Sequence, residues 1–210
     1  MNGRFCRVES LDVKRHSADL HEANGEDANG YNWTYLPADQ FANIEGYRAW
    51  LTNVSAAADV HFHAIIDVPT GRAVGIAAFL RIDQANGVIE VGHLNFSPRL
   101  QRTVAATEAM YLMMRRAFDE MGYRRYEWKC DSLNGPSRRA ATRLGFQFEG
   151  IFRQAAVYKG RNRDTAWFSI VDSEWPDLKS AFEQWLDPKN FDEFNKQRES
   201  LSDLRRRKST

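Results

Sequence analysis

Glu90 stands in the run Val88-Ile89-Glu90-Val91, where a carboxylate among apolar neighbours is costly to bury unless it has a partner or a task. Period-two alternation leaves an outward-facing position as the other reading. His93, three residues on, points to the opposite face of a regular strand and is a reserve base. Ser137 follows the turn pair Asn134-Gly135 and precedes a helical pattern, the place of an N-cap. Arg99, Arg102 and the Thr103 hydroxyl flank the start of a long amphipathic run. A helix that starts there turns free N–H groups and the positive end of its dipole toward an anion. Tyr31, Trp33 and Tyr35 supply flat apolar surface close to a turn-rich stretch.

The elements that must position these residues follow from periodicity. Phe5 to Leu11 reads as a short strand, and Glu22 to Asn32, with Gly25 and Gly30, as loop. Pro37 and Asp39 open a helix of about four turns through Ile44, Tyr47, Leu51 and Val54. His61 to Val68, Ala73 to Ile82 and Val88 to Phe96 are strands separated by short turns, which predicts an antiparallel meander. Ala106 to Met121 is an amphipathic helix stopped by Gly122, and its methionine stripe reads as core packing. Next come a strand over Tyr123 to Asp131 and a short helix from Ser137 to Leu144 ended by Gly145. Strands over Phe146 to Tyr158 and Thr165 to Val171 are linked by a hairpin loop, Lys159 to Asp164. A last helix around Leu178 to Leu186 takes Ser173 as N-cap and Pro176 in its first turn. The order predicts an α/β fold, a mixed sheet with helices on both faces.

Composition limits the classes. With 210 residues and 43% hydrophobic content the chain can bury one sizeable core and is short for two. Lys and Arg total 29 against 28 Asp and Glu, so no global field marks a nucleic-acid or membrane-surface binder. The run Arg205 to Lys208 is a local exception, read as a solvated end or as a nucleic-acid contact. Cys6 and Cys130 lack metal-ligand spacing and fit a reducing compartment. No apolar run reaches the roughly 18 residues that span a bilayer, and no signal core is present, so a soluble, cytoplasmic protein is expected.

Several strings in order carry a family resemblance. They are Glu90-Val91-Gly92, Ala106-Thr107-Glu108-Ala109, Asn134-Gly135-Pro136-Ser137, Leu144-Gly145-Phe146 and Glu149-Gly150, with Trp33-Thr34-Tyr35-Leu36-Pro37 ahead of them. Together they resemble the GNAT superfamily, in its RimJ/RimL-type branch, over about Phe5 to Trp185. The resemblance implies a GNAT-like sheet of about seven strands around a central antiparallel meander, over residues 1–187, with residues 188–210 as a charged C-terminal helix or tail. It implies an N-acetyltransferase that moves the acetyl group of acetyl-CoA to a primary amine (a peptide N-terminus, an amino acid or a small amine). A non-catalytic acyl-CoA-binding module is the alternative. The expected partners are that amine and acetyl-CoA; neither metal, nucleic acid nor membrane is expected, and a homodimer is left open.

The resemblance also distributes roles. The CoA pyrophosphate falls to the turn Gln101-Arg102-Thr103-Val104-Ala105-Ala106 and Thr107, where Val104 replaces the family's central glycine. A β-branched residue does not readily adopt positive φ, so Val104 is expected in a right-handed first helical turn. Main-chain groups of Leu94, Asn95 and Phe96 hold the pantetheine arm from one side and Asn134 from the other. Glu90 takes the place of a base acting through water. The family's tyrosine acid is absent, because Ala141 stands there; Ser137 takes its place near the thiolate, either as cap alone or as cap and acid, with Tyr158 as a weaker substitute. Trp33, Tyr35 and Asp164 are expected to line the amine pocket, Asp164 for a second cation.

Overall fold

Strand-forming apolar runs dominate the middle of the chain, and in the computed structural model, which describes residues 1–194 and 196–207, they fall close to the expected places. The strands are β1 (Cys6–Ser10), β2 (Val60–Asp67), β3 (Ala73–Asp83), β4 (Val88–Phe96), β5 (Arg125–Asp131), β6 (Gln147–Tyr158) and β7 (Arg161–Val171). They form one seven-stranded sheet in the order β1-β2-β3-β4-β5-β7-β6. Every neighbouring pair is antiparallel except β4 with β5, so the meander β2-β3-β4 is joined to the second half by one parallel contact.

Among the described residues, six α-helices cover both faces: α1 (Val13–Gly25), α2 (Ile44–Ser55), α3 (Val104–Arg115), α4 (Gly135–Leu144), α5 (Trp175–Leu186) and α6 (Leu201–Arg206). A single π-turn, Arg116–Glu120, prolongs α3 before Gly122 at φ +71°. One core gathers Met110, Met113, Phe118, Tyr126 and Phe182 under α3 and α5; Met110, Met113 and Met114 of the methionine stripe are core, as expected, while Met121 is exposed. The other gathers Leu20, Trp33, Tyr47, Leu51 and Phe62 under α1 and α2. Among the described residues no helix is long and apolar enough to cross a membrane.

The fold departs from expectation at several places. The helix α1 has no assigned counterpart in the sequence reading, because its buried side includes His16, Ser17, Ala23 and Asn24 beside Leu20, and polar or small residues blur a helical stripe. The predicted helix entry at Asp39 moves to Asn43, whose side chain accepts from the Gly46 N–H. Ser173 does not cap α5: Glu174 is the N-cap residue, without a side-chain cap, while Pro176 lies in the first turn as expected. The hairpin loop Lys159 to Asp164 shrinks to the pair Lys159-Gly160 at φ +50° and +71°, with Tyr158 opposite Arg161. Two consecutive left-handed residues match the twist of the flanking strands, so Arg161 to Asp164 are strand rather than loop. Past Pro188, Leu201 and Leu204 of α6 are buried in the α3/α5 core, and Arg205 donates to the carbonyls of Thr142 and Arg143. Lys208, the end of the expected basic run, lies outside the described residues.

Candidate active site

Strand β5 alternates by chemistry: Tyr126, Trp128 and Cys130 enter the α3/α5 core, so Glu127, Lys129 and Asp131 belong to the opposite face. Glu90 of β4 pairs in register with Glu127 and shares that face. It is 2% exposed, and both its oxygens meet cations: Arg81 Nη1 lies 2.6 Å from Oε1 and Lys129 Nζ 2.8 Å from Oε2. Lys129 also reaches Glu127 at 2.7 Å and stands 3.8 Å above the Trp167 ring, while Arg125 closes on Glu127 at 2.8 Å. Buried charge is tolerated when it is paired. Glu90 is therefore neither outward-facing nor unpartnered.

His93 corrects the expectation of a regular strand. Gly92 stands opposite Ala78 and Asn95 opposite Ile76, so His93 and Leu94 together face Ala77 in a β-bulge. His93 takes φ +49°, and its ring lies 5.0 Å from that of Phe62 in the α1/α2 core. The bulge thus turns His93 onto the face of Glu90, not away from it. Burial, and then the Arg81 charge, hold its imidazole below the ordinary range.

Strands β4 and β5 pair only from Val88 with Arg125 to Val91 with Trp128. Beyond that point they part, which leaves a slot beside Leu94, Asn95 and Phe96. The Phe96 carbonyl already accepts from Gln101 Nε2 at 2.8 Å and Asn32 Nδ2 at 3.3 Å. The Asn95 side chain is buried, with neither Nδ2 nor Oδ1 partnered by protein. An orphaned buried amide is costly, and an amide-bearing ligand arm in the slot is chemistry that suits it.

At the start of α3, Thr103 is the N-cap: its Oγ1 accepts from the Ala106 N–H at 3.1 Å and donates to the Leu100 carbonyl at 2.7 Å. Val104 is the first helical residue, in the right-handed turn expected of it, and the left-handed residue is Arg102 at φ +62°. Of the expected extra donors, the Thr103 hydroxyl is committed to the cap and Arg99 to Glu22 and Glu26, while the Arg102 side chain stays exposed. Gln101 Nε2 also meets Asn32 Oδ1, and Thr107 Oγ1 accepts from Arg143. The leading N–H groups at Val104 and Ala105 have no partner within the helix, which fits an anion there.

Ser137 is not the N-cap of α4. Asn134 is, accepting from the Ser137 N–H at 3.1 Å and leaving its own Nδ2 for other uses. Ser137 Oγ accepts from Trp128 Nε1 at 3.0 Å and lies beside the Cys130 thiol, which burial pushes up. Ser137 thus sits on the α4 side of the sheet, with Glu90 and His93 on the opposite face. Tyr158 donates to Asp131 Oδ2 at 2.7 Å; burial and that carboxylate raise its pKa, which weakens it as an acid.

The residues expected to line the amine pocket are dispersed in the fold. Trp33 is 2% exposed and packs edge-on against Phe41, Tyr47 and Trp50; only its carbonyl, accepting from Lys159 Nζ at 2.8 Å, faces the β6–β7 hairpin. Tyr35 donates to the Leu133 carbonyl at 3.0 Å and carries the Arg161 guanidinium over its ring. Asp164 alternates to the face opposite Trp167, where it accepts from the Gln154 N–H at 2.7 Å and fixes the β6 bulge. The carboxylate beside Tyr158 is instead Asp131, which is 3% exposed. Arg81, Lys129 and Asp131 are the residues that sequence reasoning missed. The last two were marked by period-two charges in an aromatic strand. A groove of about 1110 Å³ opens elsewhere, among Arg138, Arg139, Arg143 and Arg205.

The fold and the sequence match known proteins. The family model described as the acetyltransferase (GNAT) domain matches residues 11–147. The crystal structure of a GCN5-related N-acetyltransferase from Brucella melitensis superposes with a TM-score of 0.95 and 48% identity, covering 98% of this chain and 93% of that one. The uncharacterized N-acetyltransferase p20 of Bacillus licheniformis is 29% identical over 181 residues, 80% of this chain and 99% of that protein. RimL, a ribosomal-protein acetyltransferase solved with coenzyme A, shares the fold at a TM-score of 0.67 and 18% identity, over 81% of this chain and 97% of its own. The chain belongs to the GNAT acetyltransferases, enzymes that transfer the acetyl group of acetyl-CoA to an amine.

Proposed function

We propose that this chain acetylates a primary amine (a peptide N-terminus, an amino acid or a small amine) by direct attack on acetyl-CoA in a ternary complex. The observation that carries the reading is the parting of β4 and β5 after Val91 and Trp128, with a charged face on one side and Ser137 on the other. The CoA pyrophosphate is held at the start of α3 by the amides of Val104 and Ala105 and by Arg102. The pantetheine arm runs along Leu94 to Phe96, with Asn134 Nδ2 across from it. Acetyl-CoA supplies the activated acyl group and the thiolate leaving group; alignment alone removes a large part of the barrier.

In this reading Glu90 is the carboxylate that draws the ammonium to the sheet, and a water beside it is a route for the proton. Ser137, whose oxygen is held by Trp128 Nε1, has its own proton to offer the departing sulfur. Tyr35, Asp131 and Arg161 border the amine. RimL, which shares the fold, is a ribosomal-protein acetyltransferase, and that favours peptide N-termini among the candidates. A cytoplasmic location is in keeping with acetyl-CoA supply.

Calorimetry with acetyl-CoA, followed by thiol release with seryl and alanyl peptides, amino acids and spermidine, tests the proposal. Binding with thiol release supports it. Binding without release identifies an acyl-CoA-binding module, and no binding at millimolar acetyl-CoA overturns the reading.

A further inference from the structure

We propose that His93 takes the proton from the ammonium group of the amine substrate, ahead of Glu90. The inference rests on the acetyltransferase reading and deepens it. Its first support is position. His93 stands two residues past Val91, the last β4 residue paired with β5, so it lies where the slot opens, on the face shared with Glu90. A regular strand would have turned it away; the bulge turns it in.

The second support is the backbone. A left-handed φ is disfavoured for a non-glycine residue, and such outliers persist where the surrounding structure demands them. Here two converge from adjacent strands, Arg81 at φ +47° on β3 and His93 at φ +49° on β4. Arg81 in turn binds Glu90 at 2.6 Å.

The third support is availability. Both oxygens of Glu90 are committed, to Arg81 and Lys129. The His93 ring lies 5.0 Å from the Phe62 ring, tilted by 46°, and among the described residues nothing hydrogen-bonds its nitrogens. The charged groups on its side of the sheet include Arg81 from β3, Glu90 from its own strand, and Arg125, Glu127, Lys129 and Asp131 from β5; β2 contributes the Phe62 ring. Burial and Arg81 favour the neutral imidazole, the form with a lone pair to accept a proton.

The step balances. One ammonium proton passes to His93 and from there to solvent; the neutral nitrogen forms the N–C bond as the C–S bond breaks. The second nitrogen proton ends on the CoA sulfur by way of Ser137. The products are the amide and free thiol.

The test compares His93→Asn and His93→Gly with Glu90→Gln. Asn and Gly both accept a left-handed φ, so the bulge is kept. Thiol release is followed from pH 5.5 to 9 with the fastest amine among the seryl and alanyl peptides and spermidine. Acetyl-CoA affinity is measured by calorimetry, and the His93 ring signals are titrated by NMR in the wild type. The expected result is a His93→Asn turnover loss of about 100-fold or more with unchanged acetyl-CoA affinity. Added imidazole should restore part of the turnover of His93→Gly, and Glu90→Gln should keep the low-pH bend that matches the ring titration. Wild-type turnover with less than tenfold loss in His93→Asn, or no imidazole rescue in a folded His93→Gly, overturns the proposal and leaves the acetyltransferase reading standing. Wild-type protein that releases no thiol with any of these amines overturns both.

Discussion

At the scale of the residue, Glu90 shows how a buried charge becomes affordable. Its carboxylate sits between cations from β3 and β5, so neutralising it leaves Lys129 and Arg81 facing an amide. Glu90→Gln should therefore lower stability by about 1–3 kcal/mol in urea unfolding as well as lower turnover, while acetyl-CoA affinity holds. An unchanged unfolding midpoint would mean that the network adds nothing to the fold. The start of α3 carries a second prediction. Val104 is helical and Arg102 left-handed, so Val104→Gly should cost up to about 1 kcal/mol by loosening the unfolded chain and the first turn. Arg102→Gly should gain about 1 kcal/mol of stability by relieving strain, and lose acetyl-CoA affinity with the charge. Melting temperatures and calorimetry of the two variants separate backbone from charge. The position of Val104 was legible in its β-branched side chain; the left-handed Arg102 was not, because nothing in its type demands it.

At the scale of the element, the short helix α4 is fixed at both ends. Asn134 caps its start, and Gly145 ends it at φ +107° with N–H bonds to the carbonyls of Ala141 and Thr142. A Cβ at Gly145 would lie 2.7 Å from Leu178 Cδ1 of α5. Gly145→Ala meets both the disfavoured φ and the clash, so a loss of about 2 kcal/mol or more is expected in thermal unfolding. A neutral outcome would show that α5 shifts freely against α4. The Leu144-Gly145-Phe146 string announced this cap in the sequence. The identity of the α4 N-cap was harder to read, because Asn134 and Ser137 are both good capping residues and only the fold of the turn chooses between them.

At the scale of the molecule, one buried and two half-buried histidines bear on the response to acid. The pKa of His63 is lowered to about 4 by burial, and those of His16 and His93 are lowered as well, burial again leading. The unfolded chain takes up these protons near pH 6.5, the folded protein only lower, so the unfolded state binds more protons in between. Stability is thus complete above about pH 6.5 and is lost as pH falls toward 4, by on the order of 2 kcal/mol from His63 alone. His63→Gln should flatten the melting temperature in that window; an unchanged slope would show that other groups govern it. The C-terminal segment belongs to the same scale. Leu201 is 1% exposed and Leu204 6%, so a chain ending at Asp187 should lose about 3 kcal/mol or more. Equal unfolding midpoints for the long and short chains would show that α6 docks without adding to the core.

The sequence by itself determined the order of elements, the meander, the long helix with its methionine core stripe and the strings that mark the family. These depend on periods of two and 3.6 residues and on local caps, which lie within a few positions of each other. It could not determine where side chains from different strands meet. Glu90 finds Arg81 and Lys129 only through the registers of β3 with β4 and of β4 with β5. Trp33 joins the α1/α2 core, and Asp164 turns away from the face of Lys129 and Asp131 once the β6–β7 turn contracts to Lys159-Gly160. His93 depends on a single extra residue in one strand: a bulge opposite Ala77 reverses the alternation that its spacing from Glu90 implies. Pairing across a sheet is decided by burial on both faces at once, and that sum exists only in the folded molecule.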